Sequence, residues 1–245
     1  MSSNKLRETR PKGGQRKRDA SREPQYQHHL DLANEQGLKT LGLRANAQWD
    51  NDPRMLLIGL ARYKFAAKML KGKKRVLEIG CGDAFGTRLV QQEVESLCAI
   101  DFDPVFVDDV NERMDDKWRF QCVVHDILDS AFPGTYDAAF SLDVIEHIEE
   151  KNERTFLRNI VASLEEPGLL IIGTPSIESQ AYAAPLSKIG HINCKDEAGL
   201  RRLLKDFFQE VFIFSMNDEV VHTGFYHMAH YLLAICVGKR VLEES

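Results

Sequence analysis

The chain has 245 residues, 43% of them hydrophobic and 28% charged, a balance that excludes a largely disordered or fibrous protein and supplies one sizeable core. The formal net charge of −5 is unevenly spread, because Lys5, Arg7, Arg10, Lys12, Arg16, Lys17, Arg18 and Arg22 crowd the first stretch and the remainder is clearly acidic. The five cysteines form no C-x-x-C pair and no zinc spacing, and neither an apolar run of membrane-spanning length nor a signal-peptide core occurs, so a reducing, cytoplasmic setting is expected.

Residues 1–25 are polar and punctuated by Pro11, Gly13, Gly14 and Pro24, which predicts a flexible basic arm. Such an arm could touch nucleic acid or an anionic surface, but too little apolar area to offset chain entropy favours a solvated segment. A single domain is expected over 26–245, with a helical cap at 26–72 and an α/β core at 73–245. Asp52 and Pro53 open a helix whose apolar positions run from Met55 to Met69, and Lys71-Gly72 ends it.

Short branched runs follow at 75–80, 97–101, 120–124, 136–142 and 169–173, most of them separated by enough chain for a helix. This is the rhythm of a parallel sheet covered on both faces. Phe156, Leu157, Ile160, Val161 and Leu164 recur at helical spacing within 149–164 before Pro167-Gly168 stops the pattern. Near the end come a helix at 196–207 and strands at 211–216 and 231–237, the last two antiparallel because no crossover helix separates them. The expected fold class is α/β, a seven-stranded, mostly parallel, doubly wound sheet with an antiparallel strand near the C-terminus.

Glu78-Ile79-Gly80-Cys81-Gly82-Asp83-Ala84-Phe85-Gly86 places three glycines at a strand-to-helix turn, where backbone can approach a ligand and a helix start offers unpaired N–H groups. The spacing is Gly-x-Gly-x-x-x-Gly, unlike that of dinucleotide binders, and no P-loop Lys-Ser/Thr follows. The second strand ends at Asp101, followed by Phe102, and a carboxylate at that tip can accept both ribose hydroxyls. Asp126 and Asp143 stand just beyond the third and fourth strands. Either alone reads as a loop cap; with Gly80, Gly82 and Asp101 at successive strand ends they read as a site.

EIGCGDAFG, AIDFDP, HDI, YDAAFSLDVIEHI and LIIGTPS together resemble the class I (Rossmann-like) methyltransferases, particularly the ubiquinone-biosynthesis-like branch and its relatives acting on sugars and other small molecules. The resemblance runs from about Arg62 to Phe208. It implies S-adenosylmethionine as cofactor and S-adenosylhomocysteine as product, with Glu78, Gly80, Cys81 and Gly82 around the methionine portion and Gly86 and Phe102 as further cofactor-binding residues. It further implies Asp101 at the ribose, Asp126 and Ile127 at the adenine, and Leu142 and Asp143 near the sulfonium. Arg62 is the candidate for the cofactor's carboxylate, since guanidinium pairs a carboxylate bidentately.

Sulfonium already activates the methyl group, so the protein has only to align the reactants and remove a proton. His191 is the candidate base, because it lies in a loop after the fifth strand and titrates near neutrality; bonding to backbone ahead of the next helix is its structural alternative. Some ubiquinone-type relatives bind a divalent ion through positions matching Asp143, Glu146 and His147, a mixed carboxylate and imidazole set.

The expected activity is methyl transfer to an oxygen, less readily a nitrogen, of a small polar acceptor such as a sugar, a nucleotide-linked sugar or a cell-surface polysaccharide precursor. RNA or protein methylation through the basic arm is the alternative, and a non-catalytic module another, although intact turn glycines and strand-tip carboxylates speak against decay. No Pro-Pro-Tyr/Phe motif of amino-purine methylators follows the fourth strand, so nucleic acid is not the expected partner.

Overall fold

The computed structural model describes residues 20–240, so the basic arm expected over 1–25 lies largely outside the described residues. The chain divides into two compact units at Thr40 and Leu41. In the first, a short 3-10 turn leads into α1 (Gln27–Gln36), which stops at Gly37 with φ 70°.

The second unit opens with α2 (Leu43–Asn51) and α3 (Arg54–Met69) and continues through β1 (Arg75–Ile79), α4 (Thr87–Gln91), β2 (Ser96–Asp101), α5 (Pro104–Arg113), β3 (Gln121–Val124) and β4 (Tyr136–Leu142). Then come α6 (Glu153–Ser163), β5 (Leu164–Pro175), α7 (Pro185–Gly190), α8 (Glu197–Lys205), β6 (Phe208–Asn217), β7 (Val220–His222) and β8 (Tyr231–Lys239). The strands form one sheet in the order β3-β2-β1-β4-β5-β8-β6-β7. Strands β1 to β5 are parallel; β8 runs antiparallel to both β5 and β6.

The sheet has eight strands, where seven were expected. The extra one, β7, is a three-residue return of β6 across Asp218-Glu219, with Asn217 paired to Val220 and Asp218 at φ 49°. So short a strand gives no alternating apolar pattern. The sixth helix begins at Glu153, not at 149, because residues 150–152 form a separate 3-10 turn.

Both faces of the sheet are covered. Leu77, Ile79, Cys98, Ile100 and Ala139 point to one side and pack with Phe156, Leu157, Ile160, Leu200, Leu203 and Leu204 of α6 and α8. Val76, Leu97, Ala99, Ala138 and Phe140, one residue out of step, pack with Ala66, Ala67, Val90, Val107 and Val110 of α3, α4 and α5. The strand order reverses between β1 and β4, which opens a crevice at their carboxyl ends. Among the described residues no helix is long and apolar enough to cross a membrane.

Candidate functional site: a cofactor cavity at the carboxyl edge of the sheet

The turn after β1 is built so that backbone replaces side chains. Gly80 has φ 74°, and a Cβ there would stand 2.3 Å from Val144 Cγ2. The N–H groups of Gly80 and Cys81 both donate to Ile100 O, at 2.8 and 3.1 Å, tying the turn to β2. Gly82 has φ 53° and donates its N–H to Asp101 Oδ2 at 2.8 Å. Gly86, just before α4, admits the Tyr63 ring where a Cβ would clash at 2.2 Å.

A cavity of about 480 Å³ opens above this turn, within the usual range for small-ligand sites. Gly80, Gly82, Asp101, Phe102, Asp126, Ile127 and Asp143 all line it, as do Arg44, Val144 and His147. Asp101 is nearly buried; Oδ2 accepts from Gly82 N and Oδ1 from Asp103 N at 3.0 Å, which aims the carboxylate while leaving further lone pairs for hydroxyl donors. Asp126 Oδ1 accepts from Leu128 N at 2.8 Å, and the carbonyl of Ile127 accepts from Asn159 Nδ2 at 2.7 Å, so the β3 loop is held in one shape. Phe102 is 70% exposed at the rim.

Five of the expected residues stand elsewhere. Leu142 does not line the cavity: it shares a strand face with Phe140 and packs into the space left by Gly173, where a Cβ would meet Leu142 Cδ2 at 2.6 Å. Cys81 and Gly86 line a smaller neighbouring cavity of about 50 Å³, with Arg44, Asp83, Tyr63 and Asp143. Glu78 is buried beneath the turn, its Oε1 accepting from Tyr63 Oη at 2.8 Å, and burial pushes its carboxyl up to about 8.

Arg62, expected over a ligand carboxylate, is occupied by a protein one. Its Nη1 donates to both oxygens of Asp143, at 2.6 and 2.8 Å, and its guanidinium lies 3.8 Å above the Tyr231 ring. Asp143 adopts φ 59°, uncommon for a residue with a Cβ. Burial pushes its carboxyl up, but Arg62 and Arg44 outweigh this and hold it below its ordinary value.

On the acceptor side, Glu146, His147 and His191 bring one ligand atom each to within 4.8 Å of one another. Asp143, expected in this group, is taken by Arg62, and His191 stands in its place. His147 Nδ1 donates to Gly190 O at 2.8 Å, which leaves Nε2 an open lone pair 3.9 Å from Glu146 Oε1. That oxygen is buried without a partner, whereas Oε2 accepts from Thr174 Oγ1 at 3.2 Å. Burial and the charge of Asp143 push the Glu146 carboxyl up to about 8.

His191 lies outside the cavity lining, edge-on to His147 with centroids 5.2 Å apart and Nδ1 2.9 Å from Gln180 Oε1. Burial and the neighbouring His147 hold its pKa below the ordinary value. An orphaned carboxylate oxygen facing two imidazoles whose outer nitrogens are anchored fits a divalent ion.

Arg44, Asp83 and Gln180 were not singled out by sequence. The backbone beside Arg44 is tied to Asp83 by the Ala45 N–H, 38 positions away, and no local pattern announces such a contact. Gln180 sits in the 3-10 turn Ile177–Tyr182, where nothing in the sequence distinguishes it from its neighbours.

Residues 76–168 match the family described as methyltransferase domain. The chain is 25% identical over 154 residues to the mitochondrial ubiquinone biosynthesis O-methyltransferase of Schizosaccharomyces pombe, a match covering 59% of this chain and 56% of that protein. A probable S-adenosylmethionine-dependent methyltransferase of Mycobacterium tuberculosis is 28% identical over 102 residues, 41% of this chain and 35% of that one. The chain thus spans about half or less of the length of these curated relatives. Among solved structures, the N-methyltransferase NodS of Bradyrhizobium japonicum bound to S-adenosylhomocysteine superposes with a TM-score of 0.56 at 20% identity, over 80% of this chain and 91% of that one. The sheet order and the superposition show a class I, Rossmann-like methyltransferase fold, within which residues 76–168 match the methyltransferase domain family.

Proposed function

We propose that the protein is an enzyme that moves the methyl group of S-adenosylmethionine to an oxygen of a small acceptor. One observation carries this reading: Asp126, Asp101, the Gly80–Gly82 turn and Asp143 stand at the carboxyl ends of β3, β2, β1 and β4, neighbours in that order in the sheet, and all line one cavity, an order that matches adenine, ribose, methionine and reacting sulfonium. Asp101 would accept from the ribose hydroxyls, while Gly80 and Gly82 let the ligand lie against the backbone.

The acceptor would enter from the side of His147 and His191. With Nδ1–H donated to Gln180, His191 presents Nε2 to take the proton of an incoming hydroxyl. Exposed Tyr182, Ile189, Phe225 and Met228 lie in the segments around it, and His227 ties two of these segments together through Glu178 at 3.1 Å. Aromatic and aliphatic faces of this kind suit stacking against a ring that bears the hydroxyl, as in a sugar or nucleotide-linked sugar.

A second reading of the same cluster is favoured by the orphaned Glu146 oxygen. A divalent ion held by Glu146, His147 and His191 would acidify a bound hydroxyl, so that the acceptor loses its proton without a protein base.

Labelled-methyl transfer to a panel of sugars, nucleotide-linked sugars and other ring hydroxyl compounds tests the proposal. Label is expected on oxygen, and His191→Ala should lower turnover about a hundredfold or more while sparing donor affinity. Label on nitrogen, or full turnover in that variant, would refute it. Titration with Mn²⁺ separates the two roles of His191: uptake of an ion that His191→Ala abolishes assigns it as a ligand, and no uptake leaves it as the base.

A further inference from the structure

S-adenosylmethionine brings three charges into a cavity: a sulfonium, an α-ammonium and an α-carboxylate. The walls carry Asp101, Asp103, Asp126 and Asp143 for the positive groups. For the carboxylate they offer little, since Arg62 is absent from the lining and both oxygens of Asp143 already bind it. Among the described residues lining the cavity, Arg44 is the only arginine or lysine.

Arg44 also lines the smaller cavity beside Cys81 and Gly86, so it stands at the junction of the two. Its side chain is 53% exposed, and its Nη2 is 3.8 Å from Asp143 Oδ2, too far for a hydrogen bond, which leaves the guanidinium fork available.

The backbone that carries Arg44 is held down by the glycine turn itself. Ala45 N donates to Asp83 Oδ2 at 2.7 Å. Gly42 comes so close that a Cβ would lie 2.3 Å from the same oxygen. One carboxylate of the turn therefore clamps the start of α2 and sets Arg44 beside the cofactor cavity.

We propose that Arg44, positioned by the Asp83 clamp, receives the α-carboxylate of the methyl donor. The inference rests on the donor assignment above and assigns to α2 a contact that sequence reading gave to Arg62 in α3.

Calorimetric titration with a matched pair of ligands tests it: S-adenosylhomocysteine and its decarboxylated analogue, which differ only in the carboxylate. The wild-type protein should prefer S-adenosylhomocysteine. Arg44→Ala should weaken that ligand about ten- to a hundredfold and leave the analogue unchanged, so that the preference collapses. Asp83→Ala should erode the preference in the same direction by releasing α2. Equal weakening of both ligands by Arg44→Ala would show a structural role, and no weakening of either would place the carboxylate elsewhere; each overturns the proposal. A wild-type protein that binds neither ligand would remove the donor assignment, and the role of Arg44 with it, whereas failure in the variants alone leaves the donor assignment standing.

Discussion

Glu78 ends β1 beneath the glycine turn, fully enclosed, with Tyr63 donating to one oxygen and no partner on the other. Burial dominates, reinforced by the charges of Asp101 and Asp83, and raises its carboxyl from an ordinary 4.5 to about 8. The folded state therefore binds a proton that the unfolded chain releases, between these two values. The stabilising contribution is fully present below about 4.5 and is lost as the pH climbs through about 8. Glu78→Gln, which keeps the shape and the neutral state, should leave acid-side stability near that of the parent. Its advantage over the parent in thermal unfolding should grow steadily from pH 5 to pH 8.5. A constant difference across that range would mean that Glu78 is ionised in the native protein. Asp143 is the contrasting carboxylate: partly buried, but kept charged by Arg62 and held in a left-handed conformation in the lining of the site.

Elements show where sequence patterns carry structure and where they stop. The strand ends and the glycine turn were legible because a ligand-binding turn after a parallel strand restricts residue type at several adjacent positions. The start of α8 was legible for a similar reason: Asp196 accepts from Gly199 N at 2.6 Å, a local cap written in neighbouring residues. Asp196→Ala should cost about 1 kcal/mol in urea denaturation, and an unchanged midpoint would show that the cap contributes nothing. Leu142 could have been placed by alternation, since Phe140, two residues before it, already marks the core face. The pairing of Arg62 with Asp143 spans 81 positions, and the clamp of α2 by Asp83 spans 38. Such contacts are created by tertiary packing, and no periodicity in the chain encodes them. β7 escaped because three half-exposed residues returning from a two-residue turn bury too little to leave a pattern.

At the scale of the whole molecule, the two faces of the sheet bury separate clusters drawn from alternate residues of the same strands. That arrangement leaves the strand ends as the place where backbone groups and carboxylates can face a ligand, and the reversal of order between β1 and β4 opens the space. Glycine turn, Asp101, Asp126 and Asp143 all come to this one edge, although 63 positions separate Gly80 from Asp143. Binding of the donor to that edge is the claim on which the proposed chemistry depends. Isothermal titration of the full-length protein with S-adenosylhomocysteine, beside NAD, tests it most directly. Micromolar binding of S-adenosylhomocysteine, weakened about tenfold or more by Asp101→Ala, with no heat from NAD, is the predicted result; binding of NAD instead, or donor affinity unchanged in Asp101→Ala, would contradict it.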